Sequence, residues 1–280
     1  MFVSILDVPG GTPFKGSMMG ESMYEGIFYQ KTFLNQVVAR FDFVSPIPGI
    51  EKALPAQLSN ALSELFPIVE PQEAIAYQLQ FGAGGPQQHQ TAFKQWNFFG
   101  KEREKQLVVA LQFAFIVYTA YTSFEDLKAN VSAVADALGR TYPDIRVGRF
   151  GLRYVNKIEI DGLAPVTSWN EYISPLLVSA TPFFQADKLT RLVEIAEMKC
   201  GDLDLRFQFG MPNPDYPAPM KRPSFVLDFD SYIQTAHELP KSLQYMEQAH
   251  ECIQSLFERS ITDKLRECMN VTRAPAAVQE

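Results

Sequence analysis

Apolar and polar residues alternate most cleanly through residues 147–160, VGRFGLRYVNKIEI. Phe150, Leu152, Tyr154, Ile158 and Ile160 fall on one side of an extended chain there, and Arg149, Arg153 and Lys157 on the other. The spacing predicts a strand with one apolar face and one row of three cations. Such a strand is either part of an anion-binding surface or one member of a salt-bridged sheet.

The same two periods mark out the rest of the chain. Residues 37–44 alternate with Ala39, Phe41 and Phe43 on one face and break at Pro46-Ile-Pro48. Leu54, Leu58, Ala61, Leu62, Leu65 and Phe66 then form a helical stripe that ends at Pro67. Ile75, Tyr77, Leu79 and Phe81 return to a period of two, followed by the loop GAGGPQQHQ, a strand over 92–99 and a hairpin connection at 100–105. The apolar run 107–121 fits one bent strand or two short ones. Ser123 caps a helix whose buried stripe is Phe124, Leu127, Val131, Val134, Ala135 and Leu138.

After the strand at 147–160, the pattern predicts a short helix over 169–177 capped by Ser168. A hairpin of 189–200 with 203–209 turns on Gly201-Asp202. The proline-rich 211–223 leads to Phe225, Leu227 and Phe229, alternating with Asp228 and Asp230. A C-terminal helix follows, with Leu243, Met246, His250, Ile253 and Phe257 as its inward stripe. Each half reads strand, helix, strand, strand, strand, helix, the first with room for one extra strand. The expected class is α+β: two similar halves, residues 31–142 and 143–269, forming antiparallel sheet with helices on one face. Residues 1–30 read as an N-terminal extension and 270–280 as a flexible tail.

Composition narrows the function. The chain has 280 residues, 46% of them hydrophobic, enough for a substantial core. A net charge of -7 argues against general electrostatic capture of nucleic acid, although a local basic patch fits within it. Cys200, Cys252 and Cys268 are odd in number and lack CxxC spacing, which suggests neither a disulfide framework nor a zinc site and points to a reducing, cytoplasmic compartment. No apolar run approaches the roughly 20 residues needed to span a bilayer, and the first residues lack the basic segment of a signal peptide.

Candidate chemistry is sparse. Arg149, Arg153 and Lys157 suit a phosphate backbone or an acidic partner surface, and Gly151 between them would admit a close approach. The bland reading is the expected one, because Asp228 and Asp230 form an acidic row on another strand and Asp204 sits on a third. Neighbouring strands would pair these rows as ion pairs worth about 0.2 to 1 kcal/mol each. Asp228 and Asp230, with Asp204, would alternatively offer oxygen ligands to Mg²⁺, but D-x-D alone is a weak signal and no metal site is assigned. His250 reads as a core imidazole with a hydrogen-bond acceptor, and His89 as part of a solvated loop. The glycine-rich stretch before His89 lacks the Lys-Ser/Thr of a nucleotide loop, so no cofactor is expected. Cys252 and His250 lie about 200° apart around a helix and make no nucleophile and base pair. Trp96, Phe98 and Phe99 beside Lys94 and Lys101 read as core rather than as a single-strand binding platform. No catalytic residue is assigned.

Four segments together resemble a sporadically distributed, functionally uncharacterised family of bacterial proteins. They are FLNQVVARF (33–41), FGLRYVNKI (150–158), LDFD (227–230), and His250 with FERSITDKL (257–265), and the resemblance spans residues 30–269. The family brings no activity or catalytic residue with it. Its scattered occurrence implies horizontal transfer, a habit of defence and toxin-neutralising genes. The resulting expectation is a cytoplasmic, non-enzymatic binding protein whose partner is another protein, such as a toxin or defence effector. An RNA-binding or RNA-processing protein, using the basic strand face with His89 as base, is the alternative. A small-ligand site between the halves is a third reading.

Overall fold

Residues with a period of two become strands, and those strands share one antiparallel sheet. In the computed structural model the described residues are 27–82, 85–163, 169–185, 188–218 and 224–273, with the side chains of 75–91 outside the description. In chain order the elements are β1 (Ile27–Tyr29), β2 (Leu34–Phe43), α1 (Ala56–Leu62), β3 (Ile68–Gly82), β4 (Gly85–Phe99), β5 (Lys105–Val109), β6 (Phe113–Tyr118), α2 (Phe124–Thr141) and β7 (Arg146–Glu159). There follow β8 (Leu192–Cys200), β9 (Leu203–Met211), β10 (Ser224–Ile233), β11 (His237–Glu238), α3 (Lys241–Ser260), α4 (Asp263–Cys268) and β12 (Val271–Arg273).

The main sheet runs β3-β4-β5-β6-β2-β7-β10-β9-β8, with β11 beside the start of β7. At its centre β2 pairs β7, each the first long strand of its half, with Phe41 opposite Phe150 and their rings 5.1 Å apart. Outward from that seam each half places its last strand next, then the strand before it. Four strands lie outward of β2 and three outward of β7, so the two halves do not match strand for strand.

Alternation decides which face meets the helices. Phe150, Leu152, Tyr154 and Ile158 of β7, Phe225, Leu227 and Phe229 of β10, and Leu203, Leu205 and Phe207 of β9 are all buried. They meet Leu127, Val131, Val134 and Leu138 of α2 and Met246, Ala249 and Ile253 of α3 in one core. Each Val, Leu, Ile, Phe or Met side chain among them taken out of water contributes about 1.5–3 kcal/mol. The α2 cap forms as its sequence predicts, Ser123 Oγ accepting from the Asp126 amide at 3.1 Å. On α3 the buried stripe centres on Tyr245, Met246, Ala249 and Ile253, so Leu243, His250 and Phe257 lie at its margin. Among the described residues no helix is long and apolar enough to cross a membrane.

Several expectations need correction. The helix expected over 169–177 is a single 3-10 turn, Trp169–Glu171, followed by turns; Pro175 interrupts it, and Ile173 instead bridges Ile261. Its supposed cap, Ser168, lies outside the described residues. The strand expected to begin at Ile75 begins at Ile68, and β3 and β4 run together as one long hairpin through much of the supposed loop. The run 107–121 resolves into β5 and β6. Tail and extension meet: β12 pairs β1, Phe28 opposite Thr272. Tyr29 reaches from β1 to donate to Glu258 Oε1 at 2.6 Å, and Arg266 holds the other oxygen at 3.0 Å.

The largest correction concerns the cysteines. Cys200 at the end of β8 is bonded to Cys252 on α3, with Cα atoms 6.4 Å apart, and Cys268 is free and exposed. A disulfide thus fastens the outermost hairpin to the helix layer. With it the argument for a reducing compartment from unpaired thiols falls away.

Candidate functional site

Strand parity sets what the sheet shows on its other side. With the even-numbered residues 150–158 in the core, β7 turns Arg149, Gly151, Arg153, Val155 and Lys157 away from the helices. The registers carry that face to Val38, Arg40 and Asp42 of β2, to Phe113, Phe115 and Val117 of β6, and to Val226, Asp228, Asp230 and Tyr232 of β10. Beyond these come Asp204, Arg206 and Gln208 of β9, then Val193, Ile195 and Glu197 of β8. The helices α1, α2 and α3 all pack on the opposite face, which leaves this one open among the described residues. On this face Arg149 and Arg153 share a setting with other charged groups.

Four guanidinium groups, of Arg40, Arg149, Arg153 and Arg206, stand here against three carboxylates, of Asp42, Asp228 and Asp230. Arg153 binds Asp228 with two parallel hydrogen bonds, Nε to Oδ1 at 2.7 Å and Nη2 to Oδ2 at 2.6 Å. Arg149 lies between two acids, 3.2 Å from Asp230 Oδ2 and 3.6 Å from Asp42 Oδ2. Asp42 also takes Arg40 at 2.7 Å. Aromatic rings cover the guanidinium planes, Tyr232 at 4.5 Å from Arg149 and Phe113 at 4.5 Å from Arg40.

Gly151 has a more local purpose than admitting a ligand. A Cβ there would sit 2.9 Å from Arg149 Nη1, so the glycine gives Arg149 room to fold back along its own strand.

Burial tunes one of these acids. The Asp230 carboxyl is raised above its usual range by burial, against the pull of Arg149, Arg153 and Arg206. The Arg153 guanidinium is pushed up by its bonds to Asp228, so it stays charged throughout the accessible range.

The remaining members of the predicted rows stand apart. Lys157 pairs Glu159 on its own strand at 2.7 Å, and Asp204 pairs Lys199 of β8 at 2.5 Å. Both oxygens of Asp228 are taken by Arg153, which leaves the D-x-D pair without a free bidentate ligand. Among the described residues no group of three His, Cys, Asp or Glu side chains could hold a metal ion. Depressions of 320 and 430 Å³ flank residues 143–146, and none of Arg40, Arg149, Arg153 and Arg206 lines them.

The histidines serve packing where they are described. His250 stacks on Phe124 at 3.8 Å and meets the Tyr154 hydroxyl at 3.3 Å, and burial pushes its pKa down to about 4. His237, which no sequence pattern singled out, meets the Thr235 carbonyl and the fully buried Ser242 hydroxyl, at 2.6 and 2.9 Å. It ties β11 to the start of α3. The side chain of His89 lies outside the described residues. Phe98 is buried and Trp96 donates to the Ile50 carbonyl at 2.8 Å, so this aromatic pair belongs to the core.

Sequence reasoning missed Arg40, Asp42, Arg206 and Tyr232. The signal was present in the alternation of 38–43, where Arg40 and Asp42 occupy the side opposite Ala39, Phe41 and Phe43.

Chemically, the open face holds fixed, largely paired charges bordered by partly exposed Phe113, Phe115, Val117, Val38, Val155 and Val226. It offers shape, apolar contact and directional charge, the ingredients of protein recognition. A scan against protein-family models matches no family, and a search of curated proteins finds no match.

Proposed function

We propose that this protein acts by binding another protein across the open face of its sheet, and not by chemistry. One observation carries the reading: among the described residues the sheet is covered by helices on one side only, and its other side joins apolar side chains to an ion-pair lattice. Exposed sheet surface of that kind is stabilised by a partner that covers the valines and phenylalanines while satisfying the charges at their edge. The resemblance to a scattered bacterial family supports a setting in defence or toxin neutralisation, and the net negative charge suits masking a basic surface.

The RNA-binding alternative receives less support from the same geometry. Asp228, Asp230 and Asp42 offset most of the positive charge that a phosphate backbone would need. Copurification from the native host tests the protein-binding reading. A stoichiometric partner is expected, lost when Val155→Glu places a charge in the middle of the open face of the folded protein. Salt-sensitive RNA binding abolished by Arg153→Glu with Lys157→Glu would favour the alternative instead.

A further inference from the structure

The sheet ends in two edges that the sequence treats differently. At one end β3 carries Pro71, which has no amide to donate, with Glu70 and Glu73 beside it and Arg103 bound to Glu70 at 2.5 Å. Proline and charge are how an edge strand refuses another strand. At the other end β8 has nine residues and no proline, and it exposes Val193, Ile195 and Met198 at 41%, 55% and 39%.

Its free backbone groups can be assigned. The two-residue turn Gly201-Asp202 makes Cys200 and Leu203 a hydrogen-bonded pair, so the even-numbered residues of β8 bond inward to β9. Val193, Ile195, Glu197 and Lys199 then point their amides and carbonyls outward. No backbone partner meets them among the described residues.

From this edge we infer that β8 accepts an extended, basic strand of the protein partner, which adds to the sheet beside it. Such strand addition draws its affinity from backbone bonds and its selectivity from alternate side chains. Glu194 on the helix side and Glu197 on the open side have no ion pair among the described residues, whereas Lys199 is already held by Asp204. The incoming strand therefore meets Val193, Ile195, Ala196 and Met198 with apolar residues and the two glutamates with cations. A second copy of this chain is a poor fit. Antiparallel self-pairing would bring two glutamates from each molecule into one ladder whose own lysine, Lys199, is already held by Asp204. The inference rests on the partner-binding reading and adds a surface continuous with the open face through Val193 and Ile195.

A capped peptide carrying Val-Lys-Val-Val-Lys-Val, which reads alike in both directions, serves as the probe, with its Glu-for-Lys counterpart as control. Saturable binding of the lysine peptide is expected, with slowed amide exchange at Val193, Ile195, Glu197 and Lys199 and at least tenfold weaker binding of the glutamate peptide. Ile195→Pro removes an outward amide without touching the β8–β9 ladder, and should weaken binding at least tenfold while the far-ultraviolet spectrum is kept. If that variant does not fold, Glu194→Lys with Glu197→Lys should reverse the preference between the peptides. Equal affinity for both peptides, unprotected outward amides, or a dimer of this chain that protects those same amides would each overturn the inference. A native partner that copurifies undiminished with folded Ile195→Pro would also overturn it, yet leave the open-face reading standing.

Discussion

Arg153 and Asp228 are diagonal neighbours, not opposite ones. The register sets Arg153 against Asp230, but both of its hydrogen bonds, at 2.7 and 2.6 Å, go two residues along to Asp228. That carboxylate is 6% exposed while its partner is 45% exposed, so the acid depends on the arginine more than the reverse. Arg153→Met should cost about 2–3 kcal/mol by stranding a buried charge, below the upper range for such pairs because the arginine is half in water. Lys157→Met should stay within about 0.5 kcal/mol. Urea unfolding of both variants makes the comparison, and equal losses would contradict the lattice as described.

The cysteine pairing is directly countable. Alkylation of the unreduced, denatured chain should label Cys268 alone, and all three cysteines after reduction. The bond closes a loop between residues 52 apart, for which chain entropy gives about 4 kcal/mol and measured cases typically 2–4 kcal/mol. Cys252→Ala should lower the urea midpoint accordingly, and amide exchange should accelerate first in β8 and β9.

Acid should weaken the fold through His250. Burial holds its pKa at about 4 in the folded protein, against an ordinary value of 6.5, with Glu125 pulling weakly the other way. The unfolded chain therefore takes up this proton first. The contribution is complete above about pH 6.5 and is lost as pH falls towards 4, by up to about 3 kcal/mol. His237, lowered by burial beside Lys241 and Arg146, acts in the same direction. Asp230 acts in the opposite one, since a raised carboxyl stabilises at low pH and loses that contribution as pH rises through its folded value. His250→Phe, which keeps a ring over Phe124, should flatten the stability slope between pH 4 and 6.5 in denaturant titrations.

Glu258 is 1% exposed and answered by Arg266 and Tyr29 together. Arg266→Met should cost about 3 kcal/mol by leaving that acid short of its cation. Tyr29→Phe should cost about 1 kcal/mol and chiefly free β1 from the helices. Proton exchange at β1 and β12 distinguishes the two, with local loosening in the tyrosine variant and a global loss in the arginine variant.

Legibility in the sequence followed the strength of local periods. β7, β9 and β10 alternate without interruption, so their faces and the acidic and basic rows could be read directly. The first half of β3 was hidden by Pro71, which marks an edge strand and argues against a strand at all when neighbours are unknown. Trp169 and the apolar residues after it suggested a helix, which Pro175 does not allow to continue. The bond between Cys200 and Cys252 leaves no trace in spacing, since three-dimensional proximity across the hairpin and α3 creates it. At the candidate site, which arginine meets which aspartate was beyond reach for the same reason: diagonal reach depends on side-chain conformers and on the space above Gly151.

The seam between β2 and β7 also bears on how the chain acquires its structure. While the ribosome is still adding residues beyond α2, everything needed to line up β3, β4, β5, β6 and β2 has been made, but β2 then ends the sheet as a raw margin. It stays so until β7 emerges and Phe150 reaches Phe41. A half-made chain thus presents its central strand to the cell as an open edge, the state most exposed to wrong pairing. The strand that first drew notice for its row of cations is also the one that ends that exposure.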